Sequence, residues 1–214
     1  MTRAINDKID ALFVEGPDDG AVVNAFIKRR LGIDLAKHPS KLVRADDAGG
    51  GDAWVLSKFA EVTAAAPPAA RVGAIVDRDG PSNDKWPKVR ALLAQLAGSD
   101  GAPPYGDDAI FRGRFGIWMW PDNLQHGDLE TFVADIVPAS ATLAYASEAT
   151  LVAKQVHGAE YEIPHHRKAA LKVRSVWRDA SAAGGYGHLI RNLEIVSTPA
   201  SEAFLGWFTT LFLT

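Results

Sequence analysis

Residues 72–80 read Val-Gly-Ala-Ile-Val-Asp-Arg-Asp-Gly, an apolar run that stops at two aspartates and a glycine. Residues 11–16 read Ala-Leu-Phe-Val-Glu-Gly and stop in the same way at an acid and a glycine. Ligands of open α/β sheets bind where parallel strands end. The two stretches therefore predict neighbouring strands whose carboxyl ends bring Glu15, Asp77 and Asp79 around one point.

Strand and helix patterns alternate along the first two thirds of the chain. Short apolar runs predict strands at residues 11–14, 41–45, 71–76 and 115–120. Apolar residues at helical spacing follow each of these runs, for example at 86–96 and 128–137. This βαβαβαβα order predicts an α/β fold, in which a parallel sheet is flanked by helices.

The pattern changes after Pro138, where helical periodicity dominates. It predicts helices at about 146–156, 164–180 and 201–212. We therefore divide the chain into a core, residues 1–140, and a helical C-terminal extension, residues 141–214, that packs on it. Residues 98–108 are rich in glycine, proline and aspartate and predict a loop, and the glycines of 184–187 predict a turn that ends a helix.

Composition excludes several classes of protein. The 214 residues are 47% apolar and 23% charged, as in soluble globular proteins. The absence of cysteine excludes disulfides, thiolate zinc sites and cysteine nucleophiles. No signal-like or membrane-length apolar stretch is present, so we expect a cytoplasmic protein with no membrane partner. The lysine motif of a P-loop is also absent.

Charge is distributed unevenly along the chain. Residues 151–191 hold seven Lys or Arg and three acids, a charge of +4 (7 − 3), whereas the whole chain carries −3, which leaves −7 elsewhere. A basic segment beside an acidic site suits a polyanionic substrate. A solvated helix face is the alternative explanation, and charge alone favours it.

Five acids are candidate metal ligands: Glu15, Asp19, Asp77, Asp79 and Glu130. Clustered carboxylates repel one another unless a cation lies among them, and Mg²⁺ prefers such oxygen ligands. Alternate residues of an extended segment point the same way, so Asp77 and Asp79 are expected to share an ion. Helix capping and turn formation are the alternative roles of single acids, such as Asp128 as an N-cap.

These motifs resemble the Toprim domain, which topoisomerases, primases, small ribosomal-RNA maturases and the OLD family of nucleases share. The resemblance rests on Phe13-Val14-Glu15-Gly16-x-x-Asp19 followed by Ile75-Val76-Asp77-Arg78-Asp79, and it covers residues 10–137. Gly127-Asp128-Leu129-Glu130 and the helix that carries Lys168 look like small stand-alone bacterial Toprim-like proteins related to the OLD nucleases. OLD nucleases also carry an ATPase domain, which this chain lacks.

The resemblance implies a Rossmann-like Toprim sheet and a site for Mg²⁺ or Mn²⁺. Glu15 and Asp19 match the first motif, Asp77 and Asp79 the second, and Glu130 the downstream acid of the OLD-like branch. Lys168 matches the lysine of that branch, and we expect it to act with Glu15 in catalysis. Arg167 and Lys172 are the expected substrate contacts.

Three functions remain open on the sequence. The first is a metal-dependent phosphodiesterase, a nuclease that cleaves DNA or RNA. The second is a non-catalytic Toprim module that binds nucleic acid or a partner ATPase encoded elsewhere, and the third is an enzyme acting on a nucleotide or another small phosphate ester. A homodimer is a further option, because the aromatic tail residues Trp207, Phe208 and Phe212 either fill the core or support an interface.

Overall fold

The computed structural model describes residues 3–37, 42–45, 50–97, 110–178, 185–192 and 195–214. The loop predicted at 98–108 lies outside the described residues, as do Lys41, Gly184 and residues 179–180 at the end of a predicted helix.

A five-stranded sheet forms the centre of the molecule. Its strands are β1 (Ala11–Val14), β2 (Val43–Ala45), β3 (Val72–Asp77), β4 (Ile110–Phe111) and β5 (Phe115–Trp120). They lie in the order β2-β1-β3-β5-β4, and every neighbouring pair is parallel except β4 and β5. The α/β fold with a mostly parallel sheet is therefore confirmed, and the antiparallel β4 is an addition to the expected strands.

Eight α-helices accompany the sheet in the described ranges. They are α1 (Pro17–Leu31), α2 (Gly51–Ala65), α3 (Trp86–Ala97), α4 (Leu129–Ile136), α5 (Ala141–His157), α6 (His166–Arg178), α7 (Tyr186–Asn192) and α8 (Pro199–Leu213). The expectation of a turn at 184–187 is wrong for its second half, because α7 begins at Tyr186.

Side chains of the sheet alternate between two apolar cores. Along β5, Phe115, Ile117 and Met119 belong to the core beneath α2 and α3, whereas Trp118 and Trp120 belong to the core on the opposite face. This is the period-2 alternation of a strand that is buried on both faces.

Two facing glycines let α8 approach the middle of the sheet. Gly73 of β3 and Gly116 of β5 are register partners. A Cβ atom at Gly73 would lie 3.2 Å from Leu211 Cδ2, and one at Gly116 would lie 3.0 Å from Trp207 Nε1. Because side chains of α8 fill this space, the aromatic tail is core: Trp207, Phe208 and Phe212 are all buried.

The described helices contain none long and apolar enough to cross a membrane.

Gly187 should be needed for the contact between α7 and α1. A Cβ atom there would lie 2.7 Å from the carbonyl oxygen of Ala21, a backbone atom that cannot rotate away. We expect Gly187→Ala to lower the free energy of unfolding by about 1–3 kcal/mol, measured by urea denaturation. Gly206→Ala is the matched control, because Gly206 is exposed within α8 and its Cβ would meet no atom within 4 Å. That control should gain about 0.5–1 kcal/mol, and equal behaviour of the two variants would refute the close contact.

Candidate functional site

Hydrogen bonds join the carboxyl ends of β1 and β3. Glu15 follows β1, and its Oε1 accepts a hydrogen bond from the backbone N–H of Asp77, the last residue of β3, at 2.9 Å. The backbone N–H at the end of β3 thus positions the carboxylate of Glu15 at the end of β1.

Asp77 fixes the start of α4 in turn. Its Oδ1 accepts the backbone N–H of Leu129 at 2.9 Å, in the first turn of that helix. Asp128 is the N-cap, as predicted, and forms a reciprocal capping box with Thr131. The side chains of Asp77 and Asp128 thus both accept backbone N–H groups at this end of α4, and this places Glu130 beside the strand ends.

Asp19 enters the site from the first turn of α1. It is 8% exposed, and its Oδ1 accepts the indole N–H of Trp120 at 3.0 Å. The N-cap of this helix is Gly16, Pro17 follows it, and no side chain caps the helix, so Asp19 is not a capping residue.

Glu130 is held by two groups from the C-terminal helices. Its Oε1 accepts the hydroxyl of Tyr186 at 3.0 Å and lies 3.1 Å from Lys168 Nζ. Glu130 is 8% exposed. A glutamate on the solvent-facing side of the first helical turn would be exposed. Glu130 is buried, so its role is not simply that of a surface residue near the helix start.

Asp79 does not extend the strand. Its φ of +66° is left-handed, and its backbone forms an isolated antiparallel bridge with Gly127 through hydrogen bonds of 2.7 and 3.0 Å. Its Oδ2 accepts the side-chain amide of Asn83 at 2.7 Å and lies 3.3 Å from Lys85 Nζ. The backbone is therefore not extended at Asp79, and the expectation of an extended segment that carries both Asp77 and Asp79 is wrong.

Lys85 links the two acidic motifs and was not predicted. Its Nζ lies 3.4 Å from Glu15 Oε1 and 3.3 Å from Asp79 Oδ2. Burial disfavours the ammonium ion, but the negative charges of Glu15 and Asp79 raise the pKa of Lys85 above its ordinary value. The lysine therefore stays charged and acts as an internal counter-ion.

Burial and mutual repulsion raise the pKa values of three carboxyl groups. Burial, and then the charges of Asp19 and Glu15, raise the pKa of Asp77 to about 9. Burial raises the pKa of Asp19 to about 7, against the lowering effect of the Trp120 hydrogen bond. Burial also raises the pKa of Glu15, although Lys85 opposes it. Perturbed carboxyls gathered at the end of a sheet are typical of functional sites.

The carboxylate oxygens at this edge are of the kind that binds a hard cation, but the described side chains do not converge on a single point that could hold one. Glu15, Asp19, Asp77 and Glu130 each use one oxygen for the contacts above, and their second oxygens accept no hydrogen bond from another described residue. Oxygen ligands of this kind are those that Mg²⁺ and Mn²⁺ prefer. Among the described residues, no group of three or more His, Cys, Asp or Glu is arranged so that it could hold a metal ion.

Cations of α6 lie along the same edge. Lys172 Nζ is 3.9 Å from Asp18 Oδ2, and its ammonium lies 5.7 Å from the ring centre of Tyr186. Arg167 donates to the hydroxyl of Thr131 and lies 4.0 Å from Asp128, so it is occupied by the cap of α4. Both residues expected to contact substrate are about half exposed, Arg167 at 53% and Lys172 at 46%.

The raised pKa of Asp77 predicts how metal-free stability depends on pH. The folded protein holds a proton on Asp77 up to about pH 9, whereas the unfolded chain releases it near 3.8. The stability that the folded protein gains from this difference in pKa is fully present below about pH 4 and is lost as the pH rises through 9. With EDTA present, we expect the melting temperature to fall between pH 6 and 9, and to fall less in Asp77→Asn. Parallel curves from calorimetry would contradict the raised pKa.

Comparison with known proteins identifies the family. The family described as "Protein of unknown function (DUF3226)" matches residues 9–213, nearly the full chain. No curated protein and no solved structure matches the chain significantly. The match spans the sheet, the acidic edge and all the C-terminal helices, and the chain therefore belongs to the DUF3226 family.

Proposed function

We propose that the protein is a Toprim-type, Mg²⁺- or Mn²⁺-dependent nuclease that hydrolyses phosphodiester bonds of DNA or RNA. The observation that carries this proposal is the gathering of Glu15, Asp19, Asp77 and Glu130 at one sheet edge, where three of the four have raised pKa values. Such a cluster is stabilised by added positive charge. The Toprim-like order of its motifs adds support.

The four acids are the proposed ligands, and Asp79 is a weaker one. Asn83 and Lys85 already occupy the Oδ2 atom of Asp79. Bound divalent ions would activate a water molecule and stabilise the leaving oxygen.

The lysines would neutralise charge on the substrate. Lys168 Nζ lies 3.1 Å from Glu130 and its side chain is 47% exposed, so it would also reach a phosphate that a metal ion held beside that carboxylate. Burial opposes its charge, but Glu130 raises the pKa of Lys168, which therefore remains a cation at neutral pH. A fixed cation stabilises charge that develops in a transition state.

The non-catalytic alternative is favoured by one observation. The described side chains form no group arranged to hold a metal ion. A module of this kind would bind nucleic acid, or an ATPase encoded elsewhere, without turnover.

Cleavage assays separate the two functions. We expect the protein to cleave single- or double-stranded DNA or RNA with Mg²⁺ or Mn²⁺, and EDTA to abolish cleavage. The Asp77→Ala variant should cleave more than about a hundredfold more slowly. Loss of a residue that only hydrogen-bonds to a metal ligand already lowers metal affinity or activity by about 10–100-fold. Asp135→Asn is the control, since Asp135 is an exposed acid on α4. Equal rates for folded Asp77→Ala and the unchanged protein would refute the proposal, whereas binding without turnover would favour the alternative.

Salt dependence tests the role of Lys172 in binding nucleic acid. Its side chain is 46% exposed beside the acidic edge. We expect Lys172→Ala to weaken binding of an oligonucleotide and to lower the slope of log K against log salt by about one. Fluorescence anisotropy at several salt concentrations measures both. An unchanged slope would show that Lys172 contacts no phosphate.

A further inference from the structure

Lys85 is a partly buried cation at the point where the two acidic motifs meet. Its side chain is 16% exposed, and its Nζ lies 3.4 Å from Glu15 Oε1 and 3.3 Å from Asp79 Oδ2. The same oxygen of Glu15 also accepts the backbone N–H of Asp77. The same oxygen of Asp79 also accepts the side-chain amide of Asn83. The ammonium ion therefore stands between two fixed carboxylates that come from different segments of the chain.

The place of Lys85 in the sequence is unfavourable for a cation. Lys85 immediately precedes α3, which begins at Trp86, and the start of a helix favours negative rather than positive charge. Partial burial also opposes the ammonium ion, but the charges of Glu15 and Asp79 outweigh the burial and raise the pKa of Lys85. The acids that it faces, and not the helix that it precedes, account for a lysine at this position.

Hydrogen bonds fix the backbone on both sides of Lys85. The backbone N–H of Lys85 donates to Arg78 O at 3.1 Å. Asp84, the residue before it, accepts Arg78 Nε at 3.1 Å and the backbone N–H of Trp86 at 3.0 Å. These bonds hold the loop between β3 and α3 in a form that keeps the lysine beside the two motifs.

The ammonium ion opposes a divalent ion at the same oxygen atoms. Mg²⁺ lies about 2.1 Å from its oxygen ligands. An ion bound to Glu15 Oε1 would lie at most about 5.5 Å from Lys85 Nζ, which is that bond length added to the 3.4 Å contact. Like charges at such a separation repel strongly in a partly buried site. The same holds for an ion bound to Asp79 Oδ2.

Lys168 does not restrict its carboxylate to the same degree. Its Nζ lies 3.1 Å from Glu130 Oε1, but its side chain is 47% exposed. That side chain can turn into solvent when another cation approaches Glu130. The side chain of Lys85, at 16% exposure, has far less solvent to turn into.

We propose that the ammonium ion of Lys85 takes the place of one divalent ion at the acidic edge. The proposal rests on the nuclease function proposed above, because it concerns the ions that this function uses. Lys85 offsets the charge of Glu15 and Asp79, so Asp19, Asp77 and Glu130 remain for a divalent ion. The described carboxylates form no group arranged to hold a metal ion, which agrees with an edge where a lysine supplies part of the positive charge.

The number of bound Mn²⁺ ions tests the proposal, and electron paramagnetic resonance counts them because it separates free from bound Mn²⁺. We expect Lys85→Met to bind one more ion per chain than the unchanged protein, whereas Lys85→Arg keeps the charge and should bind the same number. Lys88→Met is the matched control. It removes the same charge from α3, where Lys88 Nζ lies 2.7 Å from Asp52 Oδ2, and it should leave the number of ions unchanged.

Melting temperatures give a second measurement that does not count ions. In EDTA, Lys85→Met should melt at a lower temperature than the unchanged protein, because Glu15 and Asp79 then repel each other without a cation between them. Mn²⁺ should raise the melting temperature of Lys85→Met by more than it raises that of the unchanged protein, since an ion that binds only the folded state stabilises it. Circular dichroism in EDTA checks that each variant is folded.

Three results would overturn the proposal: equal numbers of ions in Lys85→Met and in the unchanged protein, an added ion in Lys85→Arg, or an added ion in Lys88→Met. The last would show an effect of net charge alone. The nuclease proposal fails separately, if the unchanged protein cleaves no nucleic acid with either metal ion. An added ion in Lys85→Met without cleavage by the unchanged protein would therefore support the role of Lys85 and refute the nuclease.

Discussion

Repulsion among carboxylates that share one partly buried edge is the constraint on which the site depends. Asp77 and Asp19 resist ionisation because water is excluded and because each lies near other acids. The backbone N–H of Leu129 donates to Asp77 and the indole of Trp120 donates to Asp19. Lys85 and Lys168 lie beside Glu15 and Glu130 and supply positive charge. The sheet, the cap of α4 and the C-terminal helices all contribute to this balance of charge. The C-terminal helices are thus part of the site, since Tyr186 and Lys168 both contact Glu130.

The parts of the fold that sequence predicts well are those with strong periodicity. The apolar runs that became β3 and β5 are buried on both faces, and they stop at acids and a glycine in β3 and at Pro121 after β5, so their ends and their order could be read directly. The same reasoning found Glu15 and Asp77 at the edge, because parallel strands end on one side of a sheet, whereas Asp19 and Glu130 were predicted from helix starts and from the Toprim resemblance. The capping role of Asp128 was equally visible, since the residue that follows a loop and precedes an apolar helical run favours a short polar side chain.

What sequence missed depends on single contacts between distant segments. Lys85 is one lysine in a polar loop, and nothing local marks it as the counter-ion of Glu15, which lies 70 residues away. Tyr186 stands among glycines that suggest a turn, although the absence of a side chain at Gly187 is what brings α7 against α1. The left-handed φ of Asp79 arises from its pairing with Gly127, a contact that strand periodicity does not encode. β4 has only two residues, too few for any pattern.

The hydrogen bond from Trp120 to Asp19 has an optical consequence. Trp120 is fully buried, and its indole nitrogen lies 3.0 Å from a carboxylate of the acidic edge. Indole emission responds to the local electric field, so a proton or a cation that neutralises Asp19 changes the field acting on this ring. Trp120, one of six tryptophans, thus gives the emission of the protein a component that depends on the charge at that edge.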